Sequence, residues 1–599
     1  MGTAKTRFLK GLRNSNIFEA SMLVNVSDLS STFQEIVQQN FQEKTAILIL
    51  VAPDVDALCA CRILTTLLRS HNIMYKIKQI SGYVDMSRVN QTCVVDNDEL
   101  STIIMLNCGA TNDLKSILTF SDSLKCYVID CHRPVVINNI VVINDGSIDM
   151  ADIPSEISED EDDVEDDSLS EGLEDDVSDT ELENRKRQRA ERLAYLQHKD
   201  KKRRMINEYN AFNFYSRPAS IIVALGFCFE MQLHSVMRQL DQLHNDMIWL
   251  SIVGVTDQYL QNHISHSSYA VCYTEILSTV MSLNLQDEES VGCIRQSCEP
   301  RLLLYRFWSL YESMLNSEYL VSKLQLTQSK NQIHVNELLT KAGISLHDSK
   351  QPFKYVSLQV RSQLNERLKN VSSLFHTDDL FYDSFVRRYV LSHEKTREPS
   401  FQPRMLRDDD VVNEHWEENW NRAYDALLTD RNLPALLQGV SYCQKQQQAL
   451  FRVGAGILAG GKIRIAEKFR FVFVNELAES DVLIFTQPIM LQRLAQYIVH
   501  VKVQAGDWVG KKGLPLIVCV LNPRRNIYLV TGVNCSEQGE EETNQFRMMF
   551  DTATRQMNAR CRLDSFSGSV MQIHKDDMVQ FIDQLHCSLK DYYTETGSL

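Results

Sequence analysis

Residues 46–52 (AILILVA) are apolar without interruption, the pattern of a strand covered on both faces in a parallel sheet. A Pro-Asp turn follows. Leu58, Cys61, Leu64 and Leu68 then recur at helical spacing, which predicts a helix over about 57–70. Two more apolar strands are predicted at 102–106 (TIIML) and 126–129 (CYVI), with a helical stretch around 114–120 between them. Strands alternating with helices imply right-handed crossovers and a mostly parallel sheet, hence an α/β fold. Pro218 opens an apolar helix (ASIIVALGFCFEMQL), and a buried-looking segment, IWLSIVGVTDQYL, carries an acid near its end. From about 300 to 406 strand signals nearly vanish, and segments such as NELLTKAGISL and SLQVRSQLNERL predict an all-helical insertion. Past Trp416–Trp420 the α/β pattern resumes. It has a long helix (PALLQGVSYCQKQQQALF), strands at FRFVFVNE and DVLIFT, a strand pair (LPLIVCVLN, NIYLVTGV) and a closing helix near 578–590.

Composition agrees with a helix-rich chain of several domains. Only 22 glycines and 12 prolines occur in 599 residues, too few for a turn-rich all-β protein. The net charge of −16 excludes a polycation that coats DNA along its length. Charge is concentrated in two tracts. Residues 155–184 hold 16 Asp or Glu and no Lys or Arg, and 185–204 hold ten Lys or Arg against two acids. The acidic tract is too charged and too poor in large apolar groups to fold, so a disordered insertion is expected. The 15 cysteines form no CxxC pair and follow no secretory h-region, which predicts reduced thiols in a soluble intracellular chain. No apolar run reaches the ~20 residues that span a bilayer, so no membrane partner is expected. The opening MGTAKT fits only the loose myristoylation pattern at Gly2 and Thr6.

The candidate chemistry lies where predicted apolar segments end. PDVDALCAC places Asp54 and Asp56 at the end of a parallel strand, the edge at which open α/β sheets hold ligands. Two carboxylates one residue apart can both reach a hard divalent cation. Equally, one of them can cap the following helix while the other is solvated. Asn107 ends IIMLNCGA, Asp130 and His132 end CYVIDCHRP, and Asp257 closes IVGVTDQ. Four segments bringing such groups to one edge match a two-metal phosphoesterase, in which carboxylates and imidazole hold paired cations that clamp a phosphate.

This order of motifs resembles the DHH phosphoesterases, including the RecJ exonucleases. It resembles more closely the family of the cell-division-cycle replication factor forty-five, through DVDALCACRIL, LNCGA, DCHRP and GVTDQYL and the placing of the acidic and basic tracts. The resemblance implies a DHH-like domain in two parts (1–154 and 205–299), interrupted by the acidic insertion (155–184) and the basic segment (185–204). A helical insertion domain (300–410) and a DHHA1-like α/β domain (411–599) follow. It further implies a nuclear DNA replication factor, a non-catalytic helicase subunit joining the MCM ring to the GINS complex. Loading factors, the replicative polymerase and single-stranded DNA are the other implied partners, and the helical domain the main docking unit. Asp54, Asp56, Asp130, His132 and Asp257 then occupy metal positions. Asn107 stands where the nucleases have Asp, Cys131 where they have the first His, Ala57 replaces a Gly, and Ala52 replaces a further acid. Asn107 removes a charge and cannot bridge two cations as a carboxylate does, while a Cys131 thiolate suits softer metals. A vestigial site with no catalytic residue, no metal and no cofactor is therefore expected. The rival is a working manganese-dependent exonuclease.

Three other features admit two readings each. GILAGGK (456–462) satisfies part of a P-loop, but Ile463 offers no hydroxyl for Mg²⁺ and a helix C-cap glycine explains the pattern. Ser158 and Ser178 have acids three residues on, as acidophilic kinases favour, or lie in a solvated spacer. RKRQR and KDKKRR form a bipartite nuclear import signal or merely balance the acidic tract. For single-stranded DNA the candidate patch is Lys462, Arg464, Lys468 and Arg470, with Phe469 and Phe471 interleaved. Alternation of Phe469, Phe471 and Phe473 equally suits a strand whose rings face a core.

Overall fold

The computed structural model describes residues 22–25, 29–97, 99–121, 124–132, 141–144, 218–224, 238–283, 293–327, 329–387, 413–427, 433–506, 508, 514–535, 546–557 and 559–596. Both charged tracts, Ser158, Ser178 and the Gly2–Thr6 pattern lie outside them.

The first sheet contains β1 (Met22–Asn25), β2 (Ala46–Val51), β3 (Tyr75–Gln79), β4 (Leu100–Leu106), β5 (Lys125–Ile129) and β6 (Val141–Asn144). Every pairing is parallel and the order is β1-β6-β5-β4-β2-β3. Ile47–Val51 are almost wholly shielded, as an uninterrupted apolar strand in mid-sheet must be. Helices α1 (Leu29–Glu43), α2 (Val55–Ser70) and α3 (Tyr83–Val89) connect the strands, and residues 219–224, α4 (Arg238–Leu260) and α5 (His266–Leu283) complete this unit. Instead of the helix expected around 114–120, only one tight turn forms, at Leu114–Ser116. Asp113 caps it, and Leu114 alone carries its packing.

A two-stranded antiparallel ribbon, β7 (Ile294–Pro300) with β8 (Phe381–Arg387), brackets the helical insertion. The insertion holds α6 (Leu310–Leu315), α7 (Glu318–Lys323), α8 (Ile333–Lys341), α9 (Leu346–Lys350) and α10 (Leu358–Ser372). The region expected to be all-helical therefore contains β8, whose FYDSFVR sequence mixes polar and apolar positions and leaves only a weak strand signal.

Helix α11 (Asn413–Ala426) packs back on α2. Tyr424 Oη and Thr65 Oγ1 are 2.6 Å apart, and the Arg62 guanidinium lies 4.8 Å from the Tyr424 ring centre. After α12 (Leu433–Ala459) comes the second sheet, in order β13-β14-β12-β11-β10-β9. Its strands are β9 (Arg464–Ile465), β10 (Arg470–Val474), β11 (Leu516–Asn522), β12 (Ile527–Val533), β13 (Cys561–Arg562) and β14 (Val570–His574). Helices α13 (Glu479–Phe485), α14 (Pro488–Gln504), α15 (Phe546–Met557) and α16 (Met578–Thr596) accompany them. DVLIFT, expected as a strand, is α13: Glu479 and Asp481 sit in its first turn, where acids favour a helix N-terminus. The GILAGGK segment ends α12 with Gly461 at φ +59°, a glycine turn after a helix and not a phosphate loop after a strand.

Candidate active site

β2 lies between β3 and β4, so the chain order reverses there and opens a crevice at the carboxyl ends of β2 and β4. Asp54 follows β2 and Asn107 follows β4. Asp54 caps α2, its Oδ1 accepting the Ala57 N–H at 2.7 Å, so the helix-cap reading holds at this residue, but its other half fails: Asp56 is buried and not solvated. Asn107 adopts φ +52°, a left-handed conformation that Asn tolerates, and its backbone N–H reaches Ile129 O at 2.8 Å. This turn aims its side chain at the acid pair. Nδ2 donates to Asp54 Oδ1 at 3.0 Å and to Asp56 Oδ2 at 2.9 Å, while Oδ1 accepts from the Cys131 N–H at 3.4 Å.

Asp56 is almost completely buried and heavily engaged. Besides Asn107, it accepts the backbone N–H of Ala219 at 2.7 Å and of Ser220 at 3.0 Å, the Ser220 hydroxyl, and Gln258 Nε2 at 3.1 Å. It thus fastens the start of the 219–224 helix to the head of α2. Burial still outweighs these donors and raises its pKa. Asp54 is pushed up to about 6 by burial and then by the Asp56 charge.

Asp130 takes the Ala110 N–H at 3.0 Å on one oxygen, and on the other the His132 N–H at 2.9 Å and His132 Nδ1 at 2.7 Å. Burial raises its pKa, but His132's charge and hydrogen bonds prevail and hold it below the ordinary value. Cys131 is buried with Gln258 Nε2 at 3.4 Å from Sγ. Burial, then the charges of Asp56, Asp130 and Asp54, raise the thiol well above its usual range. One ligand atom each from Asp130, Cys131 and His132 lie within 4.8 Å of one another.

Asp257 comes from the interior of α4 and not from a strand end. Its carboxyl accepts Gln261 Nε2 at 2.6 Å, and burial pushes it up to about 8. His263, just beyond α4, is held down to about 3 by burial and then by the charges of His132 and Arg493. Asp54, Asp56, Asn107, Cys131, His132 and Asp257 line a cleft of about 110 Å³, with Asp130 bonded to His132 behind it, and the opposite wall, with Pro488, Gln492 and Phe566, belongs to the second unit. The walls meet at Gly82. Asp564 O accepts the Tyr83 N–H at 3.2 Å, Asp564 Oδ1 accepts the Val84 N–H at 2.9 Å, and the Tyr83 and Phe566 rings meet edge-on at 5.1 Å.

The structure brings all seven expected positions together: Asp54, Asp56, Asn107, Asp130, Cys131, His132 and Asp257. Sequence reading missed Ser220, Gln258 and Gln261. Gln261 stands four residues after Asp257 on one helix, a spacing that could have revealed it. Nothing local points Ser220 at Asp56, 164 residues away. The cationic patch separates into two kinds of residue. Lys462 and Arg464 are exposed and Lys468 half-exposed. Arg470 is buried, stacks 4.3 Å from the Trp508 ring centre and donates to Leu514 O at 2.7 Å, so it is unavailable to a phosphate. Phe469 is fully buried and Phe471 half-buried, which leaves no open stacking platform at either ring.

Residues 47–396 and 390–588 match the family model described as CDC45. The chain belongs to the CDC45 family. It is 28% identical over 647 residues to the cell division control protein 45 homolog of Schizosaccharomyces pombe, covering 94% of this chain and 99% of that one. The human homolog is 27% identical over 588 residues, with 94% and 99% covered. Among solved structures, CDC45 from Entamoeba histolytica superposes with a TM-score of 0.66 at 20% identity, over 95% of this chain and all of that one. CDC45 membership makes the chain a DNA replication and cell-cycle factor. Among the described residues no helix is long and apolar enough to cross a membrane.

Proposed function

We propose that this CDC45-family chain is a non-catalytic subunit of the nuclear replicative helicase, bridging the MCM ring and GINS, with a phosphoesterase-like cleft that no longer turns over. The observation that carries the proposal is the occupancy of Asp56. Both its oxygens are taken by donors from Asn107, Ala219, Ser220 and Gln258. A pair of divalent cations needs bridging anionic oxygens. Here an amide hydrogen stands on one oxygen of Asp54 and on one of Asp56, and both Asp130 oxygens also accept N–H groups. The donor set does not fit a cation pair. Incubation of the full-length protein with end-labelled single strands and manganese tests this directly. No release of nucleotides is expected, and turnover lost in Asp54→Asn would reinstate an exonuclease.

The bridging role rests on family membership together with the helical insertion, which presents exposed Tyr355, Leu358 and Leu374. Reconstitution with purified MCM ring and GINS tests it. A chain lacking residues 310–372 is expected to lose co-elution with them. Single-stranded DNA, if bound, meets Lys462 and Arg464 through its phosphates and without base stacking on Phe469. Loading factors and the polymerase belong to the same reading, as does nuclear import through the 185–204 tract.

A further inference from the structure

A second cavity, of about 60 Å³, lies where α4, the first residues of the insertion and α14 meet. Three guanidinium groups line it, those of Arg301, Arg306 and Arg493, of which Arg306 is paired with Glu299. Arg301, directly after β7, stacks against Tyr259 at 5.0 Å and Tyr319 at 5.8 Å and donates to Tyr259 Oη. Arg493, on α14, donates to Gln447 Oε1 at 3.0 Å. Neither forms an ion pair with a carboxylate among the described residues. The two acids in the same wall are already engaged. Glu299 is held by Arg306 at 2.8 and 3.1 Å and by Ser297 at 2.7 Å, and Glu318 by His500 Nδ1 at 2.5 Å.

Two further donors at this cavity lack an acceptor. The Tyr319 hydroxyl hydrogen has none, though the residue is only 6% exposed, and Arg301 Nε is buried without a partner. Buried donors of this kind are costly to leave unmet, and two cations facing one small cavity repel each other. A single tetrahedral oxyanion relieves both. It is small, carries up to two charges and accepts several N–H and O–H groups at once.

We propose that this cavity binds a phosphate-class oxyanion, held by Arg301, Arg493 and the Tyr319 hydroxyl. Since Arg301 belongs to the insertion and Arg493 to the second unit, with Thr256 of α4 in the same wall, the anion ties all three together. Free phosphate and a phosphomonoester group offer the same chemistry.

The test is thermal unfolding and calorimetric titration of the full-length protein with sodium phosphate, O-phosphoserine and, at matched ionic strength, sodium chloride. Phosphate is expected to raise the melting temperature saturably, and chloride not at all. A response to O-phosphoserine equal to that of phosphate assigns the site to phosphomonoesters; a response to phosphate alone assigns it to the free ion. Arg493→Gln, which leaves no carboxylate unpaired, should weaken binding about tenfold. Arg301→Gln should do the same, with some loss of stability from the Tyr259 stack. Equal stabilisation by chloride, or an undiminished phosphate response in both variants, would overturn the proposal.

Discussion

Asn107 Nδ2 stands 2.9 Å from Asp56 Oδ2 and 3.0 Å from Asp54 Oδ1, one amide group donating to two carboxylates. An amide placed so joins the two acids through hydrogen bonds. Replacing it with a carboxylate sets three acids against one another in a buried site. Asn107→Asp is therefore expected to lose about 2–4 kcal/mol in chelator, as broken buried charge networks do. Manganese should return part of that loss to the variant and nothing to the wild type. Urea unfolding with and without the metal checks both.

Asp56 acts as a peg for the returning chain. Removing its carboxylate in Asp56→Ala strands the N–H groups of Ala219 and Ser220 and the Gln258 amide. A loss of about 3–4 kcal/mol is expected. Hydrogen exchange should show it first at residues 219–224; unchanged protection there would show that the peg is dispensable.

The sequence made the frame of this site readable and left its satisfaction hidden. AILILVA followed by PDVD identified β2, the turn and the head of α2, because an unbroken apolar run of six or seven residues can hardly be anything but a buried strand when a capping acid follows. The same logic failed at DVLIFT, an equally short apolar run whose acidic first turn made it α13. The polar edges β7 and β8 carry little periodic signal and gain their pairing only from each other. Ser220 and Gln258 reach Asp56 across 164 and 202 residues of chain, a relation that no local spacing encodes.

Buried acids make stability depend on pH. Asp54, at about 6, and Asp257, at about 8, both lie above their ordinary 3.8 because burial disfavours the charge. Folding therefore favours the protonated forms. Their contribution is complete below about pH 4 and is lost as pH rises through about 6 and then about 8. Each group adds a slope of up to about 1.4 kcal/mol per pH unit in that window. Asp257→Asn keeps an oxygen for Gln261 and cannot ionise, so it should flatten the decline between about pH 4 and 8 and be the more stable form above about pH 8. A melting series across that range checks the sign.

Gly82 lets the two units close. A Cβ there would stand 2.3 Å from Asp564 O, and the backbone is extended, so contact and not conformation sets the cost. Gly82→Ala should lower stability by about 1–3 kcal/mol. It should also widen the cleft, visible as increased labelling of Cys131 by a thiol reagent.

The basic patch yields a two-sided test. Lys462→Ala with Arg464→Ala should weaken single-strand binding and leave the melting temperature unchanged, since both side chains are exposed. Arg470→Ala should lower the melting temperature, through loss of the Trp508 stack and the Leu514 bond. Fluorescence anisotropy with a labelled strand, run beside thermal unfolding, separates the two.

The most direct measurement is the anomalous scattering of crystals soaked in manganese. With the Asn107 amide joining Asp54 to Asp56, no pair of neighbouring peaks is expected between these acids and Asp130. Two adjacent ions seated there, with the amide displaced, would contradict the proposal that this cleft does not hydrolyse.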